Sequence, residues 1–245
     1  MSAPYRHNCT GLPKSLCLLG PKTAHCRDES AEKGHVYSTH RALQCRRRRF
    51  LQHIQTGDES WVYHYNREYK AQSTEYRHKT SLSPREFKVV ASARKVLFTI
   101  FWEMEVVVHM EFLEQGQTVN SERYISILRA LKLRIRRVRH EDSILQHNNA
   151  RPHTSRQTQD ALRQLELTTL LHPAYSPDLA PSDYYLFPQL KKYLKGHHYD
   201  DDKEVIADVR RWCRGQLSEF FAGGMCQLVK RWRLCVKRDS DYVKK

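Results

Sequence analysis

Asp58, Asn148 and Asp183 stand at the ends of predicted strands or at the start of the helix that follows. Carboxylates are the ligands that hard divalent cations prefer, and a carboxamide adds one carbonyl oxygen but no charge. Taken singly, these are weak signals. Asp58 by itself reads as a turn residue, and Asp183 as a helix N-cap.

The elements that would position them follow from the spacing of apolar residues. Trp61–Tyr65 is aromatic and β-prone and follows Thr56-Gly57-Asp58-Glu59, which predicts a strand beginning after a turn. Lys95–Trp102 (KVLFTIFW) is a near-continuous apolar run, the pattern of a buried central strand. Val106–Leu113 is a second such run, and Glu103-Met104-Glu105 joins the two as a hairpin. Asn120 or Ser121 can cap a helix to about Val138, with Tyr124, Ile127, Leu128, Leu131 and Ile135 on its apolar stripe. Its other face carries Arg129, Lys132, Arg134, Arg136 and Arg137, and reads equally as a solvent face or a DNA-facing surface.

Further on, Ser143–His147 is a short strand, Thr154 caps a helix to about Leu165, and Thr168–His172 is another strand. The proline-bounded loop Pro173–Pro181 leads into a helix from Ser182 to Leu194. Glu204–Phe221 and Gly224–Val236 read as two closing helices. Strands first, then alternating helix and strand, predict an α/β fold: a mixed sheet with helices on both faces. Residues 66–94 are polar, basic and poor in apolar side chains, which predicts an extended arm. Residues 1–45 show no sustained period and read as an irregular N-terminal extension, with the folded domain occupying 46–245.

The formal net charge is +15 and the pI about 9.6. Clustered Lys and Arg that neutralise phosphates release counterions, so a polyanionic partner, nucleic acid, is the natural reading. No run reaches the roughly 18 apolar residues that a membrane span needs, and no secretory signal opens the chain. Neither a membrane nor a small-molecule cofactor is expected. Seven Cys, an odd number, fit a reduced intracellular protein, and without a C-x-x-C pair no zinc site of known spacing is expected. The run Arg46–Arg49 reads as a nuclear-import signal, a phosphate contact or a solvated face.

Three local blocks raise the weak signals. Thr56-Gly57-Asp58-Glu59-Ser60-Trp61, then Gln146-His147-Asn148-Asn149-Ala150-Arg151-Pro152-His153-Thr154, then Tyr175-Ser176-Pro177-Asp178-Leu179-Ala180-Pro181-Ser182-Asp183-Tyr184 resemble the signature blocks of mariner transposases. The 34 residues between Asn148 and Asp183 match the family's spacing. Phe112–Asn120 and the terminal Arg231-Trp232, Cys235 and Asp241-Tyr242 resemble the family too, so the likeness runs from about Phe50 to Lys245.

The resemblance implies an RNase H-like five-stranded mixed sheet flanked by helices, a nuclear location, and two-metal phosphoryl transfer on DNA with Mg²⁺ or Mn²⁺. By carry-over, Asp58 would bridge both ions, position 148 would hold one and Asp183 the other. Two ions about 3.5–4 Å apart stabilise the attacking and leaving oxygens of an in-line displacement. The family has aspartate where this chain has Asn148, so weakened metal binding and impaired cleavage are expected. Asp142, six residues upstream, is about 20 Å away along an extended strand and is no substitute.

Arg151, His153, Arg134, Arg136, Arg137, Lys191 and Lys192 are the candidate DNA contacts. Gln72, Glu75, Arg77 and His78 in the arm resemble the family's clamp loop, which implies a homodimer. The family's paired helix-turn-helix modules are not recognisable before Phe50, so salt-sensitive, non-specific DNA binding is expected without recognition of transposon ends. The alternatives are an active Mg²⁺- or Mn²⁺-dependent transposase or endonuclease that tolerates Asn148, and a decayed transposon copy. Mariner domains also occur fused to histone-lysine methyltransferase modules. No such module fits in this chain, and no methyltransferase activity is expected.

Overall fold

The computed structural model describes residues 50–65, 94–114, 116–138 and 143–237. The first segment with its Cys and His residues, the Arg46–Arg49 run and nearly all of the arm at 66–94 lie outside the described residues, and so do the predicted domain boundary at 45 and the side chain of Arg137.

Five strands form one sheet: β1 (Ile54–Tyr63), β2 (Lys95–Trp102), β3 (Val107–Phe112), β4 (Ile144–Gln146) and β5 (Thr168–Leu170). Their order across the sheet is β3-β2-β1-β4-β5. The β1–β2 and β2–β3 pairs are antiparallel, whereas β1–β4 and β4–β5 are parallel. Among the described residues, six α-helices are, in chain order, α1 (Ser121–Val138), α2 (Arg151–Thr154), α3 (Arg156–Gln164), α4 (Phe187–Tyr193), α5 (Asp202–Gly215) and α6 (Ser218–Lys237). A π-helical turn, Ser182–Leu186, leads into α4.

Each face of the sheet has its own core. On one side Ile54, Val62, Phe98, Ile100 and Trp102 pack with Leu186, Phe187 and Leu190 and with the inner faces of α5 and α6. On the other, Phe101, Val108 and Leu145 meet the stripe of α1 (Tyr124, Ile127, Leu128, Leu131, Ile135) and Leu162 of α3. This is the predicted mixed sheet with helices on both faces. The α1 stripe is buried as its spacing requires, and Asn120 caps the helix by accepting the Arg123 N–H at 2.8 Å.

Several elements differ from their sequence reading. The first strand begins at Ile54, not Trp61, so Gly57 and Asp58 sit inside a central strand rather than in a turn. Gly57 is there because the Phe101 ring lies over it: an added Cβ would come 2.2 Å from the ring. The predicted Thr154 cap moves one residue on, since Ser155 is the N-cap of α3 and its hydroxyl accepts the Thr158 N–H. The predicted helix from Ser182 opens as a π turn, held by a bond from Trp102 Nε1 to Ser182 Oγ at 3.0 Å. The last two helices divide at Gln216-Leu217, not after Phe221. Gly224 lies within α6, where a Cβ would stand 2.6 Å from Tyr185 and 2.9 Å from Trp102, so this glycine permits close packing instead of ending a helix.

Candidate functional site

Strand β1 carries Asp58 at mid-length, and the parallel neighbour β4 ends at Gln146, level with Thr56. The chain leaving β4 therefore turns across the face of β1 just above that level, and Asn148 meets Asp58 there. Alternation along β1 puts Asp58 on the same face as Ile54 and Val62, towards the π turn that bears Asp183. The structure thus brings together Asp58, Asn148 and Asp183, which are far apart in sequence.

Asp58 is buried, 6% exposed. Its Oδ1 accepts two hydrogen bonds of 2.8 Å, one from the Glu59 N–H and one from Asn148 Nδ2. Burial, with the charges of Asp183 and Glu59 beside it, holds the Asp58 carboxyl well above the usual carboxylate range, against the pull of the Glu59 N–H. Burial raises Asp183 too, opposed by its hydrogen bond to Asp58 and by Lys191. The two carboxyls share a hydrogen bond that favours the protonated form of Asp58 and the charged form of Asp183.

The orientation of Asn148 is decided by its second contact. Its Oδ1 accepts the Ala150 N–H at 3.0 Å, which leaves the NH₂ group facing Asp58. The amide presents donors to the carboxylate and turns its carbonyl oxygen to the main chain.

Behind this cluster stands a buried aromatic wall. His153 is stacked on Tyr124 with ring centres 3.9 Å apart. Its Nδ1 lies 3.3 Å from Asn148 O and its Nε2 3.2 Å from Glu59 Oε1. The Tyr124 hydroxyl meets His147 Nδ1 at 2.8 Å. Burial, with His153 and His172 close by, lowers His147 to about 3, so its ring is neutral and shares a single hydrogen bond with the phenol. Beside Asp183 opens a cavity of about 340 Å³, bordered by Glu59, Ser60, Trp61, Tyr63, Phe187, Pro188 and Lys191. The Lys95 ammonium lies over the Trp61 ring, 4.1 Å from its centre.

The candidate DNA contacts divide. Lys191 reaches the site, whereas Lys192 and Arg151 are exposed on the helices next to it. His153 is 1% exposed and cannot face DNA: it is a buried prop between Glu59 and the Asn148 loop. Arg134 and Arg136 lie far from Asp58. Arg136 is about 18 Å along α1 from Tyr124 at 1.5 Å per residue, and Arg134 Nη1 reaches Val108 O on β3. Glu59, Tyr124, Trp61 and Tyr63 border or support the site without having been singled out. Glu59 stood next to Asp58 in the first block, but nothing in the sequence paired it with His153, 94 residues away.

A family model described as transposase (partial DDE domain) matches residues 66–145. The chain is 32% identical over 204 residues to the Mariner Mos1 transposase of Drosophila mauritiana, an alignment covering 81% of this chain. The structure of the Mos1 transposase catalytic domain with Raltegravir and Mg matches 89% of this chain and 100% of its own, at 30% identity and a TM-score of 0.66. The Mos1 paired end complex with Mn matches 94% of this chain and 70% of its own, at 30% identity and a TM-score of 0.70.

The chain belongs to the mariner transposase family.

Its mixed five-stranded sheet is the RNase H-like fold of the mariner catalytic domain. Human histone-lysine N-methyltransferase SETMAR is also similar, 33% identical over 199 residues and 79% of this chain. This mariner chain spans 28% of the length of SETMAR and 58% of that of the Mos1 transposase.

Proposed function

We propose that this chain is a mariner transposase-derived DNA-binding domain whose ancestral chemistry, metal-dependent DNA strand cleavage and transfer, is impaired by Asn148. One observation carries the reading: the Asn148 NH₂ donates to Asp58 Oδ1 at 2.8 Å, on the side of that carboxylate where the family pattern has a second anionic ligand. The donor set does not fit a two-ion centre. Among the described residues, no group of three or more His, Cys, Asp or Glu side chains is placed to hold a metal ion. One hydrogen of the Asn148 amide and the Glu59 N–H both occupy Asp58 Oδ1. For Asn148 to offer its carbonyl, it must turn over and abandon the Ala150 N–H.

What the chain's own residues do is hold DNA. The net charge of +15 supports salt-sensitive phosphate binding. Lys191 and Arg151 beside the Asp58–Asp183 pair suit the strand backbone, and the cavity lined by Trp61 and Tyr63 has the aromatic and basic walls that unstacked nucleotides favour. Lys192 and Arg136 extend the basic surface in this reading. A protein that works on DNA would act in the nucleus, and the Mos1 paired end complex supports action as a homodimer.

The test is cleavage of transposon-end DNA with Mg²⁺, comparing the chain with its Asn148→Asp variant. The wild type should be slower by roughly a hundredfold or more, equivalent to at least about 2.7 kcal/mol of barrier. Equal rates would overturn the reading, and wild-type cleavage restored by Mn²⁺ would favour an active enzyme that tolerates the amide.

A further inference from the structure

Among the described residues, strand β3 is an edge of the sheet, and its outward side is flanked by arginines from both layers. Leu113 N–H donates to Leu97 O at 2.8 Å, and the register continues through Thr99 with Glu111 and Phe101 with His109. Those residues exchange their hydrogen bonds with β2. In an antiparallel ladder the alternate residues point the other way, so the N–H and C=O of Met110 and Phe112 face outward. Next to the shift in register at Trp102, Val108 O also faces away from β2, and Arg134 Nη1 of α1 approaches it at 3.5 Å. From the opposite layer, Arg210 of α5 lies over the Phe112 ring, 5.2 Å from its centre. Arg214, one turn further along α5, lines the same groove, a cavity of about 390 Å³.

His109 is the second sign of a ligand. It lines this cavity, is 5% exposed, and neither ring nitrogen has a hydrogen-bond partner. Its nearest acid, Glu111, sets Oε2 at 3.6 Å from Nε2, beyond hydrogen-bond distance, while its Oε1 holds Arg123. Burial and Arg134 lower the His109 pKa, so the ring is neutral and offers one donor and one acceptor.

We propose that the outer edge of β3 is a docking site for an extended acidic peptide, which adds a strand beside Met110 and Phe112 and sets its carboxylates on Arg134, Arg210 and Arg214. The groove wants a backbone that both donates and accepts. A phosphodiester strand only accepts, so it would leave the outward carbonyls of Val108 and Met110 facing anions. A peptide matches both and takes its specificity from flanking pockets. The half-exposed apolar side chains Val107 and Met110 beside the edge suit alternate apolar residues of such a peptide. This site is independent of the chemistry at Asp58.

The test is fluorescence anisotropy of the full chain with a labelled peptide of Glu-Glu-Val-Val repeats, which sets carboxylates on both faces of an extended strand, its lysine–valine counterpart, and a DNA oligonucleotide. The acidic peptide should bind and the basic one should not. Arg210→Glu combined with Arg214→Glu should weaken peptide binding by roughly tenfold or more. Met110→Pro, which removes an outward N–H that β2 does not use, should abolish it. Should that variant fail to fold, hydrogen exchange on the wild type decides: the Met110 and Phe112 amides should exchange readily alone and become protected by the peptide. Three outcomes overturn the proposal: amides already protected without peptide, charge reversal that weakens DNA binding alone, and self-association of the chain that Met110→Pro abolishes.

Discussion

Replacing Asn148 by aspartate exchanges a hydrogen-bond donor for a negative charge at a place where the structure leaves it little room to move. The Ala150 N–H that holds Asn148 Oδ1 at 3.0 Å would hold one carboxylate oxygen as well. The other oxygen would then stand where Nδ2 now lies, 2.8 Å from Asp58 Oδ1. Losing a hydrogen bond to this buried acceptor costs about 1–3 kcal/mol. Two like charges about 4 Å apart repel by about 4 kcal/mol at an effective dielectric of 20, and uptake of a proton by the cluster relieves part of this. A net loss of roughly 3 kcal/mol in the absence of metal follows, and in a domain of this size 1 kcal/mol moves Tm by about 2–4 °C. The Asn148→Asp variant in EDTA should therefore melt roughly 6–12 °C below the wild type. A divalent ion supplied at a hundred times its Kd returns about 2.7 kcal/mol. Differential scanning calorimetry at neutral pH, with EDTA or with Mg²⁺, reads both effects. The wild type should be nearly indifferent to Mg²⁺, while the variant should recover most of its loss. Equal melting of the two proteins in EDTA, or equal stabilisation of both by Mg²⁺, would refute the view that Asn148 has removed a metal-holding charge from this cluster.

Two other outcomes are expected. Gly57→Ala forces a Cβ to within 2.2 Å of the Phe101 ring, so chemical denaturation should show a loss of about 1–3 kcal/mol or more, with Asp58 displaced next door. His147 is neutral when folded, lowered to about 3 by burial and by His153 and His172, whereas in the unfolded chain it takes a proton near 6.5. The unfolded state therefore binds the extra proton, and this contribution to stability is present above pH 6.5 and is lost as pH falls towards 3, by at most about 1.4 kcal/mol per pH unit. The Asp58–Asp183 pair works in the opposite sense, since carboxyls held above their ordinary range gain stability as pH falls. The histidine contribution is therefore read as the difference between wild type and His147→Gln, which should shrink on acidification; a difference constant from pH 7 to pH 4 would contradict it.

Much of this molecule is legible in its sequence. The stripe of α1 and the apolar run of β2 declare themselves by spacing, because a buried apolar face repeats along the chain whatever it packs against. The three blocks carrying Asp58, Asn148 and Asp183 identified the family, and the missing charge at position 148 could be read as a single letter. Strand β1 could not be read in this way. Its central position is hidden by Gln55, Thr56, Asp58 and Ser60, polar side chains buried in a strand that periodicity treats as a turn. Their burial depends on partners such as Glu103 for Gln55, 48 residues away, and Asn148 for Asp58, 90 residues away. Tertiary structure alone decided that His153 is a prop rather than a DNA contact, that Arg134 leans on the edge of β3, and which way the Asn148 amide points. Apolar burial leaves a local periodic trace in sequence. A hydrogen bond between distant segments leaves none, so the direction of a donor is settled only when the fold brings its acceptor to it.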